Sequence, residues 1–268
     1  MKEIMAKMNE VERRCGTRAS WTPIKFASLL STYGFIAASL AGGGAVARAG
    51  DLIVAGAADL SPLTAALEQG FEKTAHTRVR FTLASSGSLA HQIENGAPFD
   101  VFLSADERSV KELAAGGHLE PDVVIYATGR LGLWSKDGRV RSLEDLKKPQ
   151  VIHLAIANPD HAPYGIAARK ALETQGLWRE VQPKIVYGEN VRQAMQFAES
   201  GNADAVITSW TLLIGRGVLL PAEWHDPIRQ AGGVVKGSTQ PTTARQFLKF
   251  LLNAEGQRIL QSGGLFSP

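Results

Sequence analysis

From Leu52 onward the chain alternates short apolar runs with longer stretches at helical spacing, and this alternation limits the fold more than any other feature of the sequence. Leu52 to Gly56, Val79 to Leu83, Asp100 to Ser104, His153 to Ala157, Ile185 to Tyr187 and Ala203 to Thr208 read as strands, and Val123 to Trp134 as a long β-rich run interrupted near Gly129 and Gly132. Between them Leu63, Leu67 and Phe71, then Val191, Ala194, Met195 and Ala198, then Phe247, Phe250 and Leu251 recur at helical offsets. Ser61-Pro62 is a helix-start signal. Strands alternating with helices predict an α/β protein with mixed, mostly parallel sheets flanked by helices. Some ten strands without a long polar linker predict two compact lobes crossed by extended segments.

The first 49 residues have a different character. Arg13, Arg14, Arg18 and Lys25 precede an uncharged stretch from Phe26 to Val46, which ends in Ala47-Arg48-Ala49. A positive leader, an apolar middle and small residues at A-x-A describe a secretory signal peptide, residues 1–49, cut before Gly50. A retained membrane anchor is the competing reading, but Gly42 to Gly44 and several Ser make a poor spanning helix. The formal charge of the whole chain is +3, and the leader alone carries a surplus of four, so the remainder is close to neutral. That excludes the basic footprint of a nucleic-acid-binding protein. The single Cys excludes an internal disulfide.

Catalytic signatures are missing. There is no phosphate loop, no G-x-S-x-G elbow and no H-E-x-x-H, and Gly215-Arg-Gly217 begins a dinucleotide fingerprint that Leu220 breaks. The six His are scattered without metal-ligand spacing. The sequence predicts neither an enzyme nor a resident metal or cofactor.

Three strand-to-helix junctions stand out instead: Ala57 to Pro62, Ala84 to Leu89 and Tyr187 to Val191. Each joins small or hydroxyl residues to a helix start, where unpaired N–H groups and a partial positive charge hold an anion without any Lys or Arg. Singly each is a capped helix; jointly, between two lobes, they would make a cage of neutral donors for a small oxyanion.

These residues carry a resemblance. The block Ala84 to Asp106 closely resembles the molybdate-binding proteins of bacterial ABC importers, and so do Val54 to Leu60, Ala157 to Gly165 and Glu189 to Met195, in order over essentially the whole mature chain. The resemblance implies a two-lobed periplasmic binding protein fold of type II kind. Lobe 1 would hold residues 51–128 and 232–268, lobe 2 residues 129–231, with crossings near Ala127-Thr128 and Ala231-Gly232. It also implies a periplasmic, monomeric receptor that closes over molybdate or tungstate and presents it to a membrane permease, with molybdenum present only as the bound oxyanion. Carried across position by position, the ligand contacts fall on Asp59, Ser86, Tyr164, Val191 and Thr208. Ser86 and Val191 match the family pattern. Tyr164 differs in a side chain that does not matter if its N–H is the contact, and Thr208 keeps a hydroxyl on a shorter arm.

Asp59 departs from the pattern, because an ionised carboxylate only accepts hydrogen bonds. Three readings stay open. Its main chain binds while the side chain turns away, or it is protonated, or the ligand brings a proton that Asp59 accepts, as phosphate would. A secreted hydrolase using Ser86 or Asp59 is a rival from another class.

Overall fold

The structure, a computed structural model, describes residues 50–268; the expected signal peptide lies outside the described residues. Strands β1 (Leu52–Ala57), β2 (Val79–Ala84), β3 (Val101–Ser104), β4 (Val124–Gly129) and β10 (Ile228–Val234) form one sheet in the order β2-β1-β3-β10-β4. Strands β5 (Leu131–Trp134), β6 (Leu154–Ala157), β7 (Ile185–Gly188), β8 (Ala205–Ser209) and β9 (Val218–Leu219) form a second in the order β7-β6-β8-β5-β9. Each sheet is the centre of one lobe.

Both sheets follow one scheme, two parallel pairings and then two antiparallel ones. The parallel parts, β2-β1-β3 and β7-β6-β8, are the ones the βα alternation describes, since parallel neighbours need a crossover connection. The antiparallel parts come from strands near the crossings. β4 ends at Gly129 and β5 starts at Leu131, so only Arg130 separates the lobes on the outward path. On the return, β10 begins at Ile228 and pairs with Gly129, ahead of the expected boundary at 231/232. The run Ile228-Arg-Gln-Ala-Gly-Gly-Val234 has little apolar alternation, which is why its start is hard to see in sequence.

Alternating side chains fill separate cores on the two faces of each sheet. In β3, Val101 and Leu103 pack with Phe71 of α1 (Thr64–Ala75) and with Phe247 and Phe250 of α7 (Pro241–Leu252). Phe102, between them, faces Leu89 and Ile93 of α2 (Ser86–Glu94) and Val110 and Leu113 of α3 (Glu107–Ala115). Lobe 2 repeats this. Leu154 and Ile156 of β6 pack with Ala168 and Leu172 of α4 (Pro163–Thr174), while Ala155 meets Ala194, Met195 and Ala198 of α6 (Val191–Ser200). The remaining α-helices of the described residues are α5 (Trp178–Val181) and α8 (Ala254–Ser262).

Helix α1 starts at Thr64, later than Ser61-Pro62 signals. The chain first makes a 3-10 turn, Ala58–Leu60, closed by Ser61 N–H donating to the Ala58 carbonyl at 3.3 Å. That turn carries Asp59 toward lobe 2. Among the described residues no helix is long and apolar enough to cross a membrane, and no group of three or more His, Cys, Asp or Glu is placed to hold a metal ion.

Candidate functional site

Parallel strands that feed helices place all their carboxyl ends, and the helix starts that follow, on one side of the sheet. In lobe 1 Ala57 and Ala84 end their strands side by side, and in lobe 2 Ala157 and Gly188 do the same. The turn Ala58–Leu60 and the start of α2 therefore face the starts of α4 and α6. Asp59, Ser86, Tyr164 and Val191 line one space between the lobes, together with Ala58, Ser85 and Asn190. At about 10 Å³ it is at the lower limit for a single water molecule and far smaller than a sugar or peptide needs. A larger hollow of about 450 Å³ lies on lobe 2 beside Asp137, Arg139, Lys148 and Asp204, but lobe 1 contributes nothing to it.

The donors of this space are set by their own partners. Ser86 is buried at the first position of α2, and its Oγ accepts from Ala105 N–H at 2.9 Å, which leaves the hydroxyl hydrogen for another acceptor. Val191 is the first residue of α6. Asn190 caps that helix by accepting from Arg192 N–H at 3.0 Å and Gln193 N–H at 3.1 Å, so the cap takes those two donors and not that of Val191. Tyr164 follows Pro163 in the first turn of α4, where backbone N–H groups have no intrahelical partner. Thr208 is placed differently. It is buried in β8 and does not line the space; its Oγ1 donates to the Val191 carbonyl at 3.1 Å and so fixes the start of α6 from behind.

Asp59 sits fully buried where the lobes meet. Its Oδ2 accepts from the Tyr164 hydroxyl at 3.0 Å and from the Gln230 side-chain amide. Gln230 also donates to the Tyr164 oxygen at 3.1 Å and accepts from the Tyr126 hydroxyl at 2.8 Å. The Asp59 carbonyl accepts from Thr211 Oγ1 at 2.7 Å. The other carboxylate oxygen, Oδ1, is buried with no partner. Burial pushes the Asp59 carboxyl up to about 6, against the opposing hydrogen bonds from Gln230 and Tyr164. Burial, and then the Asp59 charge, hold both tyrosine hydroxyls well above their ordinary range. Gly129 makes this junction possible, since a Cβ there would lie 2.2 Å from the Tyr164 hydroxyl oxygen.

A second junction closes the rim. The His161 carbonyl accepts from Gly87 N–H at 3.0 Å, and His161 Nδ1 lies 2.9 Å from Ser85 Oγ. On its other side His161 Nε2 is 3.5 Å from the exposed Glu189 carboxylate. A Cβ on Gly87 would come within 2.8 Å of that same carbonyl. Sequence reasoning leaves His161 among scattered histidines and passes over Ser85 and Gln230. Only the position of His161 in the His161-Ala-Pro163 turn before α4 hints at a role.

A family model described as bacterial extracellular solute-binding protein matches residues 52–266. The chain belongs to this family. Among solute-binding relatives, the molybdate-binding protein ModA of Rhodobacter capsulatus is 35% identical over 225 residues, covering 81% of this chain and 89% of that one. Its namesake from Azotobacter vinelandii is 34% identical over 229 residues, covering 81% and 90%. The solved Azotobacter vinelandii periplasmic molybdate-binding protein superposes with a TM-score of 0.77 at 31% identity, covering 81% of this chain and all of that one. The sulfate-binding protein SubI of Mycobacterium tuberculosis shares the fold, with a TM-score of 0.68 at 15% identity, over 81% of this chain and 86% of that one. The two-lobed binding-protein fold read from the sequence is thus the observed one. The chain is a substrate-binding component of an ABC importer and not an enzyme.

Proposed function

We propose that this chain captures molybdate or tungstate outside the cytoplasm and hands it to a membrane permease, acting as a monomer after removal of its leader. The observation that carries this reading is the convergence of helix starts from two lobes on one compact space that, among the described residues, no Lys or Arg lines. Backbone N–H groups at Tyr164 and Val191, the Ser86 hydroxyl and the turn at Ala58 and Asp59 replace the water shell of a tetrahedral anion by oriented dipoles. Because the donors come from both lobes, the anion favours the closed arrangement, and only that differential affinity shifts the balance. The closed form is what the permease then reads. Thr208 acts indirectly, by holding Val191.

Hydrogen phosphate is a second reading on one observation, the unpartnered Asp59 Oδ1, which would accept the proton such a ligand carries. Calorimetric titration and thermal shift with molybdate, tungstate, sulfate and phosphate test the assignment. A ligand at 100 times its Kd stabilises by about 2.7 kcal/mol, which for a chain of this size is about 5–10 °C in Tm. Molybdate and tungstate are expected to give that shift. Phosphate alone doing so overturns the assignment.

A further inference from the structure

We propose that Asp59 enters the ligand-bound state as a neutral carboxylic acid that donates from Oδ1 to the captured oxyanion, so that each anion is taken up together with one proton. This rests on the oxyanion-receptor reading above and adds a chemical condition to it.

The geometry carries the inference. Oδ2 already accepts from Tyr164 and Gln230, and these two donors hold the carboxyl group in place. Oδ1 is buried, has no partner, and belongs to a residue that lines the space where the guest sits. Ser86 and the helix starts at Tyr164 and Val191 offer donors to that space. An ionised Oδ1 would set an acceptor against an acceptor and a negative charge against a dianion. A proton on Oδ1 removes both conflicts and supplies one more donor.

The surroundings provide no alternative compensation. From α4 comes the Tyr164 hydroxyl and, from the turn before α4 at the rim, His161, which is engaged with Ser85. From β10 comes the neutral Gln230 and behind it Tyr126 of β4; from the turn Trp210–Leu212 comes Thr211. From α6 come Asn190 and Val191, and from β2 the neutral Ala84; Arg192 on α6 is exposed and lines an outer groove. No charged side chain is among the causes acting on the Asp59 carboxyl, and burial is the largest of them. A bound anion adds a like charge and raises proton affinity further. In the step itself a solvent proton forms an O–H bond on Oδ1, no bond in the anion breaks, and separation of the lobes returns the proton to water.

The test is calorimetry with sodium molybdate on the mature chain and on Asp59→Asn, between about pH 6 and about pH 8, in buffers of different ionisation enthalpy. Asn keeps an acceptor for Tyr164 and Gln230 and places an N–H₂ where Oδ1 stands. For the native chain the expected result is proton uptake that grows from about one half near pH 6 toward about one at pH 8, and a Kd that rises with pH, approaching about tenfold per unit toward pH 8. Asp59→Asn is expected to bind with no proton uptake and a flat Kd, and more tightly than the native chain at pH 8. A native Kd that is flat with pH, without buffer dependence, overturns the inference and leaves the receptor reading standing. So does an Asp59→Asn protein that keeps the full pH dependence. If the variant does not fold, the buffer dependence of the native chain decides alone. Failure of both molybdate and tungstate to bind either protein at any pH removes the receptor reading and this inference together, as does phosphate binding that Asp59→Asn abolishes.

Discussion

The two lobes meet at two junctions of opposite character. The deep one joins Asp59, Tyr164, Gln230 and Tyr126 in a fully buried polar network with one oxygen left over. The rim joins Gly87 and Ser85 to His161 and the exposed Glu189 through contacts that water can replace. A hydrogen bond lost at the rim is remade with solvent, whereas a group stranded in the deep junction bears its whole desolvation cost. The deep junction should therefore control both stability and the energy of closure, and the rim should tune closure only slightly.

Breaking the carboxylate is expected to have the largest effect, and its sign depends on pH. The folded Asp59 carboxyl lies at about 6 against 3.8 for the ordinary group, so the folded state holds a proton that the unfolded state has lost. Stability from this group is complete below about pH 4, declines as pH rises to about 6, and stays at its lower level above that. Asp59→Asn should thus unfold like the native chain at pH 4 and be more stable by about 3 kcal/mol at pH 8, read by urea unfolding at both values. A constant difference across that range would show that burial does not raise this carboxyl. Next in size is Gly129→Ala. Its Cβ collides with the Tyr164 hydroxyl, and overpacking of that kind costs about 1–3 kcal/mol; the same variant should weaken anion binding, because Tyr164 must leave Asp59 for the lobes to approach. Smallest is His161→Gln. Its pair with the exposed Glu189 is worth about 0–1 kcal/mol, and Gln keeps a polar group beside Ser85, so the unfolding midpoint should barely move. If His161→Gln cost more than Gly129→Ala, the ranking of the two junctions would be reversed.

What the sequence makes legible follows from the range of the interactions involved. The alternation of strands and helices and the starts of α2 and α6 are written in neighbouring residues, in Ser85-Ser86 and in Asn190-Val191, and the structure places both starts on the cleft. The deep junction is not written locally. Asp59 meets Tyr164 across 105 positions and Gln230 across 171, and only the folded pair of sheets brings them together. Tyr164 shows why residue matching alone misleads. Considered as a helix-start N–H its side chain is irrelevant, yet its hydroxyl is what holds Asp59. Thr208 errs the other way: its hydroxyl suits a ligand in sequence, but β8 turns it toward the Val191 carbonyl. The early return at Ile228 was hidden because Arg229, Gln230, Gly232 and Gly233 interrupt any apolar pattern.

A cleft lined by peptide dipoles and hydroxyls, with no Lys or Arg on its wall among the described residues, has a consequence for where such a receptor can work. Counter-ions weaken attraction between free charges over about 10 Å in ordinary buffer, but fixed N–H groups touching an enclosed guest leave no gap for them to occupy. Brine and fresh water should look nearly alike to the cleft once it has shut.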